Sequence, residues 1–189
     1  FSALARGVTD LWVLDLGTGK SRRLMDDPWA DLQPAWSPDG RRIAFVSDRF
    51  GADSAGASRD RYRLALVDPD SGDIQGLQTF ATGKSINPQW APDGRSLYFI
   101  ADPEGIPDLH QLDLASGHVE ALTRLLTGVS GITHLSPALT VAQHSGDIVF
   151  SAYDAGSFEL FRYDPARRPG APGRDSVMAA AARRDSATL

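Results

Sequence analysis

The stretch 34–48, PAWSPDGRRIAFVSD, returns 54 residues later as 88–102, PQWAPDGRSLYFIAD, with eight of fifteen positions identical. Each copy opens on a short apolar run ending in Trp36 or Trp90. A tight turn follows, Pro38-Asp39-Gly40 or Pro92-Asp93-Gly94. Proline presets φ at the first turn position, aspartate is tolerated at the second, and glycine supplies the positive φ. A second run then carries Ile43 and Phe45, or Leu97 and Phe99, on one face. Each copy therefore reads as a β-hairpin, and the hairpin repeats. A period of roughly 20–50 residues is the mark of a solenoid, a propeller or another array.

A second kind of hairpin alternates with the first. The run 11–16 turns at Gly17-Thr18-Gly19-Lys20 and returns over 21–25. The run 62–68 turns at 69–73 and returns over 74–79, and 109–114 turns at 115–117 and returns over 118–123. These segments alternate well enough for half-buried strands. Two hairpins make four strands, the content of one propeller blade.

Trp36-Ser37-Pro38-Asp39-Gly40 followed by Ile43-Ala44-Phe45 resembles the TolB-type β-propeller repeat. The second copy departs from that signature at Ala91 and over Leu97-Tyr98-Phe99. The resemblance covers about residues 8–164 and implies an all-β fold, a partial propeller of about three to four four-stranded antiparallel blades. The expected units are an incomplete first blade at 8–25 and blades at about 33–80, 87–124 and 133–163, within a segment 1–164. In the fourth, Leu139 is read in place of the tryptophan and Gly146-Asp147 as the turn. The expectation is thirteen strands, the first unit lacking its inner pair and the fourth its outer strand. A closed ring of four blades needs about 16, so an open arc is expected, with 11–16 as an exposed edge. Residues 165–189 shift to Pro, Gly, Ala and Arg, with five arginines against two aspartates. They read as a flexible tail or linker, with a helical turn or two around 177–183 as an alternative.

Composition narrows the functional classes. The net charge of −5 argues against a nucleic-acid surface, which wants a basic face. No apolar run approaches the roughly 20 residues of a membrane-spanning helix. The absence of cysteine removes disulfides and thiolate metal sites. The chain opens on Phe1 with no signal-like segment, and is expected to be a piece of something longer.

Several motifs fail on inspection. Gly19-Lys20-Ser21 and Gly83-Lys84-Ser85 lack the glycine that a phosphate loop needs five residues earlier, where Leu14 and Gln78 stand. The acidic run 68–73 has Gly72 and Thr79 where a calcium loop needs ligands. His110, His118, His134 and His144 form no zinc spacing, and no Gly-x-Ser-x-Gly elbow occurs. No catalytic residue, metal or cofactor is expected. Asp39 and Asp93 are turn residues, and Trp36 and Trp90 are expected as core wedges between blades, since every blade needs the same one.

What remains is a binding face. Insertions in repeat proteins gather on one face, which is often the binding face. The loops 26–31 and 127–134, with the polar insertion 48–61, are expected there. Trp29, Asp31, Asp48, Arg49, Arg59, Arg61 and His134 are the candidate partner contacts. The resemblance implies a non-catalytic scaffold for a protein or peptide partner, in a bacterial periplasmic or cell-envelope setting. The alternative is the propeller cap of a prolyl-oligopeptidase-type serine peptidase whose catalytic residues lie outside this chain. The open edges are expected to pair with other blades of a parent chain or with a second copy.

Overall fold

The structure, a computed structural model, describes residues 1–50, 62–133, 135–154 and 156–167. Within them the chain forms four antiparallel sheets. The first holds β1 (Ser2–Ala5), β2 (Val8–Leu14) and β3 (Ser21–Arg23). The second holds β4 (Asp31–Trp36), β5 (Ile43–Ser47), β6 (Arg63–Val67) and β7 (Ile74–Gly76). The third holds β8 (Ser85–Trp90), β9 (Ser96–Ala101), β10 (Asp108–Asp113) and β11 (Val119–Ala121). The fourth holds β12 (Leu139–Val141), β13 (Ile148–Asp154) and β14 (Ser157–Tyr163). Strand order follows the chain in every sheet, and each sheet packs on the next, β2 on β4, β5 on β8, β8 on β12. This is the blade arrangement of a propeller.

Burial explains the sequence pattern. Every residue of β5 and β9 is buried, because the middle of a blade is covered on both faces by its neighbours. Such strands read as continuous apolar runs instead of alternating ones. The outer strands β3, β7 and β11 have three residues each, and none of these residues is buried. The inner strands β4 and β8 contain Pro34 and Pro88, which cannot donate to a ladder and are tolerated at edges and bulges. The pairing slips there, between Leu32 and Ala35 and between Ile86 and Gln89. Gln33 and Asn87 take φ of 53° and 54° in the two bulges.

Three expectations are corrected. The first sheet has three strands, not two, which makes fourteen among the described residues. β1 pairs with β2, so 11–16 is an interior strand and the open edge belongs to β1. The turn between them is Arg6-Gly7, at φ 53° and 87°, a pair of left-handed residues suited to a two-residue hairpin. Arginine at the first position hid that signal. In the fourth sheet Val141 pairs with Ile148 as Trp36 pairs with Ile43, so Val141, not Leu139, stands at the tryptophan position. Residues Pro165–Arg167 form a 3-10 turn, and the tail from 168 onward lies outside the described residues.

The third correction concerns the wedges. Trp90 is 1% exposed; its indole Nε1 donates to the Ala35 carbonyl at 2.9 Å, and the Arg42 guanidinium lies 5.3 Å from the ring centre. Trp90 shares a cluster with Ala44, Leu66 and Leu97. Trp36 is 50% exposed. Trp90 is sealed by the innermost strand of the blade before it. Among the described residues the first sheet has no such strand, so Trp36 has nothing to be sealed by.

Candidate functional site

Antiparallel blades put the loops entering each inner strand on the same face as the loops between each second and third strand. The repeat ties them together. Asp48 accepts the Ala30 amide at 2.9 Å, and 54 residues on Asp102 accepts the Lys84 amide at 2.6 Å. Lys84 Nζ also reaches Asp102 at 2.5 Å. Gly83, at φ 71°, leaves no room for a side chain, since a Cβ would stand 2.5 Å from the Asp102 carbonyl oxygen. Asp48, nominated as a partner contact, thus has its carboxylate turned inward on the loop backbone.

The second blade adds a cluster that the third does not share. Arg49 donates to Asp27 at 2.7 Å and to Asp31 at 3.0 Å, and its backbone and Nε donate to Ser47. Asp27 also accepts the Trp29 amide at 3.0 Å. Asp31 is fully buried, and one of its carboxylate oxygens has no partner. Burial pushes its carboxyl up to about 6, against the downward pull of Ser47 and Arg49. Asp31 and Arg49 therefore position the loop 26–31 from beneath, and Asp31 cannot touch a partner. Trp29 stays partly accessible on that loop. Arg59, Arg61 and His134, with the insertion from 51 to 61, lie outside the described residues.

The loop entering the fourth blade is held by its backbone. Val129 N donates to Pro107 O at 2.6 Å, Ser130 N to Ser151 O at 2.9 Å, and Thr127 Oγ1 to Tyr153 O at 2.6 Å. The loop carries two exposed apolar side chains. Ile132 is 93% exposed and Leu126 64% exposed. Beneath Ile132 runs a groove of about 210 Å³, lined among others by Lys84, Ile86, Pro107 and Ser136.

A second cleft, of about 300 Å³, opens between the Pro103–Ile106 turn and the end of the third blade. Phe80, Glu104, His110 and Arg124 line it. His110 is buried against Phe80 and Phe99, at ring separations of 5.0 and 5.6 Å. Its Nδ1 sits 2.9 Å from the Asp108 carbonyl oxygen, so the neutral ring carries its proton there. Burial holds its pKa below the ordinary histidine value. His110 reaches the cleft through its place in β10, which no spacing from the other histidines marks. Among the described residues no three His, Cys, Asp or Glu side chains are grouped to hold a metal.

The repeat residues are placed by the turns. Ser37 donates to Asp39 at 2.6 Å, and Asp39 and Asp93 accept the Arg41 and Arg95 amides at 3.1 and 2.9 Å. Gly40 and Gly94 take φ of 71° and 68°, and Gly94 rests on Pro38 of the neighbouring turn. Pro92 packs in the same way beneath Gly146. These turns lie at the opposite end of the blades from the loops above.

Known proteins carry the same architecture. No protein-family model matches the chain. It is 26% identical over 158 residues to dipeptidyl-peptidase 5 of Porphyromonas gingivalis, covering 77% of this chain and 21% of that protein. It is 33% identical over 109 residues to the Tol-Pal system protein TolB of Gluconobacter oxydans, covering 58% of this chain and 22% of that protein. The crystal structure of TolB from Acinetobacter baumannii superposes with a TM-score of 0.64 at 17% identity, covering 89% of this chain and 38% of that one. The chain thus spans about a fifth of the length of these two relatives. Its fold is that of the TolB-type β-propeller, and its relatives include both TolB proteins and peptidases.

Proposed function

We propose that this chain serves as a non-catalytic propeller scaffold that binds a protein or peptide, within a larger protein of the bacterial cell envelope. The observation that carries the reading is the face around Ile132. A loop outside the repeat signature is pinned by its backbone, shows Ile132 and Leu126 to solvent, and borders a groove. Apolar side chains exposed beside a groove are a feature that protein interaction sites commonly use. The likeness to TolB supports an envelope setting and a protein partner. No helix among the described residues is long and apolar enough to cross a membrane.

The likeness to dipeptidyl-peptidase 5 over 77% of the chain supports a second reading. There the propeller caps a serine peptidase domain and admits peptides along its channel, past the inner strands β4, β8 and β12. Titration of the ¹⁵N-labelled chain separates the two. A scaffold moves the amide signals around Trp29 and Ile132 when a folded envelope protein is added, and Ile132→Asp abolishes the response while Arg41→Ala, at the far end of the blades, does not. A cap moves Gln33 and Asn87 on addition of short peptides, whatever stands at 132. Binding unaffected by Ile132→Asp overturns the scaffold reading.

A further inference from the structure

We propose that the cleft between Phe80 and the Pro103–Ile106 turn binds the phenol group of a tyrosine-type ligand, with its ring over Ala121 and its hydroxyl donating to His110 Nε2. The inference goes beyond the scaffold reading, which concerns the loop around Ile132.

The second blade shows what fits there. Asp48 and Asp102 clamp equivalent loops, so Phe50 and Glu104, two residues further on, hold the same place in their blades. On the outer strands, Gly76 pairs with Ala65 as Ala121 pairs with His110. A Cβ on Gly76 would stand 2.9 Å from the Phe50 ring, so that ring lies directly over the small pair Ala65 and Gly76. The third blade, which packs between the second and fourth sheets, has Glu104 in place of that ring. The space over His110 and Ala121 is then the cleft of about 300 Å³. This is the lower end of the roughly 300–1,000 Å³ of ligand pockets, room for one substituted ring.

The lining says which ring. Phe80 stands edge-on to His110 at 5.0 Å, and Ile106 and Val119 add apolar wall, which suits an aromatic group. Nδ1 of His110 gives its proton to the Asp108 carbonyl, so Nε2 of the neutral ring accepts and cannot donate. Among the described residues Nε2 makes no hydrogen bond. A buried acceptor beside an apolar wall asks for an O–H on the ring; a carboxylate or carbonyl there would meet a lone pair. At the mouth stand Glu104 and Arg124, both exposed and neither in an ion pair among the described residues. They offer one partner to an ammonium and one to a carboxylate. Phenol, ammonium and carboxylate together are the groups of free tyrosine. Phenylalanine would fill the same volume and leave Nε2 unpaired, and sites that hydrogen-bond a hydroxyl discriminate on that basis.

The test is a titration of the ¹⁵N-labelled 189-residue chain with L-tyrosine, read at the histidine ring nitrogens and the backbone amides. The expected result is a shift of His110 Nε2 and of the Glu104 and Ala121 amides, with L-phenylalanine weaker by about tenfold or more, the cost of an unpaired acceptor. Glu104→Phe supplies the ring that the second blade carries, so it should fill the cleft, abolish the response and leave the melting temperature unchanged or raised. Glu104→Gln, which adds no ring, should keep the His110 shift. His110→Phe keeps the packing against Phe80 and Phe99 and should bring tyrosine and phenylalanine to equal affinity. N-acetyl-L-tyrosinamide separates the two sources of the phenol: weaker binding than L-tyrosine supports the free amino acid, and equal binding supports a tyrosine side chain of a peptide. No His110 shift at millimolar L-tyrosine overturns the proposal. So does equal binding of L-phenylalanine to the unaltered chain, or a response that survives Glu104→Phe. Ile132→Asp should leave tyrosine binding unchanged, so this site and the scaffold reading fail separately.

Discussion

Trp90 and Trp36 sit at the same position of the same repeat, and their surroundings differ in one respect. Behind Trp90 lies β4, whose Ala35 carbonyl takes the indole proton. Behind Trp36 lies the first sheet, which has no inner strand among the described residues. One ring is 1% exposed and the other 50%. The repeat therefore fixes where a side chain points, while the neighbouring blade decides whether it is buried. In an array each unit contacts only its neighbours, so stability is roughly a sum of unit and seam contributions.

The sharpest way to break that comparison is to truncate both rings. Trp90→Ala should destabilise by about 3–5 kcal/mol, the range for large-to-small changes of aromatic core residues. Chemical denaturation would read it, and a loss below about 1 kcal/mol would mean that the seam is not built on the ring.

Asn87 tests the seam's polar half. Its side-chain oxygen accepts the amides of Ala138 at 2.7 Å and Leu139 at 2.9 Å from the next blade, all buried. Asn87→Ala leaves two donors unpaired, at about 1–3 kcal/mol each where burial is complete. Gln33→Ala, whose side chain bridges Asn87 N and the Leu135 carbonyl, should lose less, since it is only partly buried. Equal losses at both positions would count against a difference between the seams.

The loop cluster supplies a pH test. The carboxyl of Asp31 lies at about 6 folded, against an ordinary 3.8. The folded state then holds this proton more tightly than the unfolded state. Its contribution to stability falls as pH rises from about 4 to about 6 and is flat above, by up to about 3 kcal/mol. His110 acts in the opposite sense, its lowered pKa costing stability as pH drops through the ordinary histidine range. Asp31→Asn should remove the first slope and leave the second. An unchanged pH profile would show that Asp31 ionises normally.

The smallest effect is expected at the open seam. Trp36→Ala should change stability by about 1 kcal/mol or less, as half-exposed positions commonly do. A loss matching that of Trp90→Ala would show the ring to be buried in solution.

The blade plan was legible because it is written locally. Pro-Asp-Gly turns, apolar middle strands and a 54-residue offset each depend on residues close in sequence. The short β1 was missed because Ser2, Ala3 and Ala5 have weak strand preference; pairing with β2, including the exchange between Phe1 and Trp12, makes it a strand. The partner candidates were mixed for a similar reason. Asp48 belongs to the repeat, as Asp102 shows, so its inward clamp was readable in the duplicated stretch. The burial of Asp31 was not, because the third blade has Ser85 there and the carboxylate depends on Arg49. Ile132 carries no motif, and its exposure is visible only in the folded loop.

Hydrogen exchange at the four tryptophan indoles, resolved in the ¹⁵N-labelled chain, tests the difference between the seams directly. The structure predicts that Trp90 Nε1–H exchanges only through large-scale opening, while Trp36 Nε1–H exchanges close to the rate of an unprotected indole. Equal, strong protection of the two would contradict it.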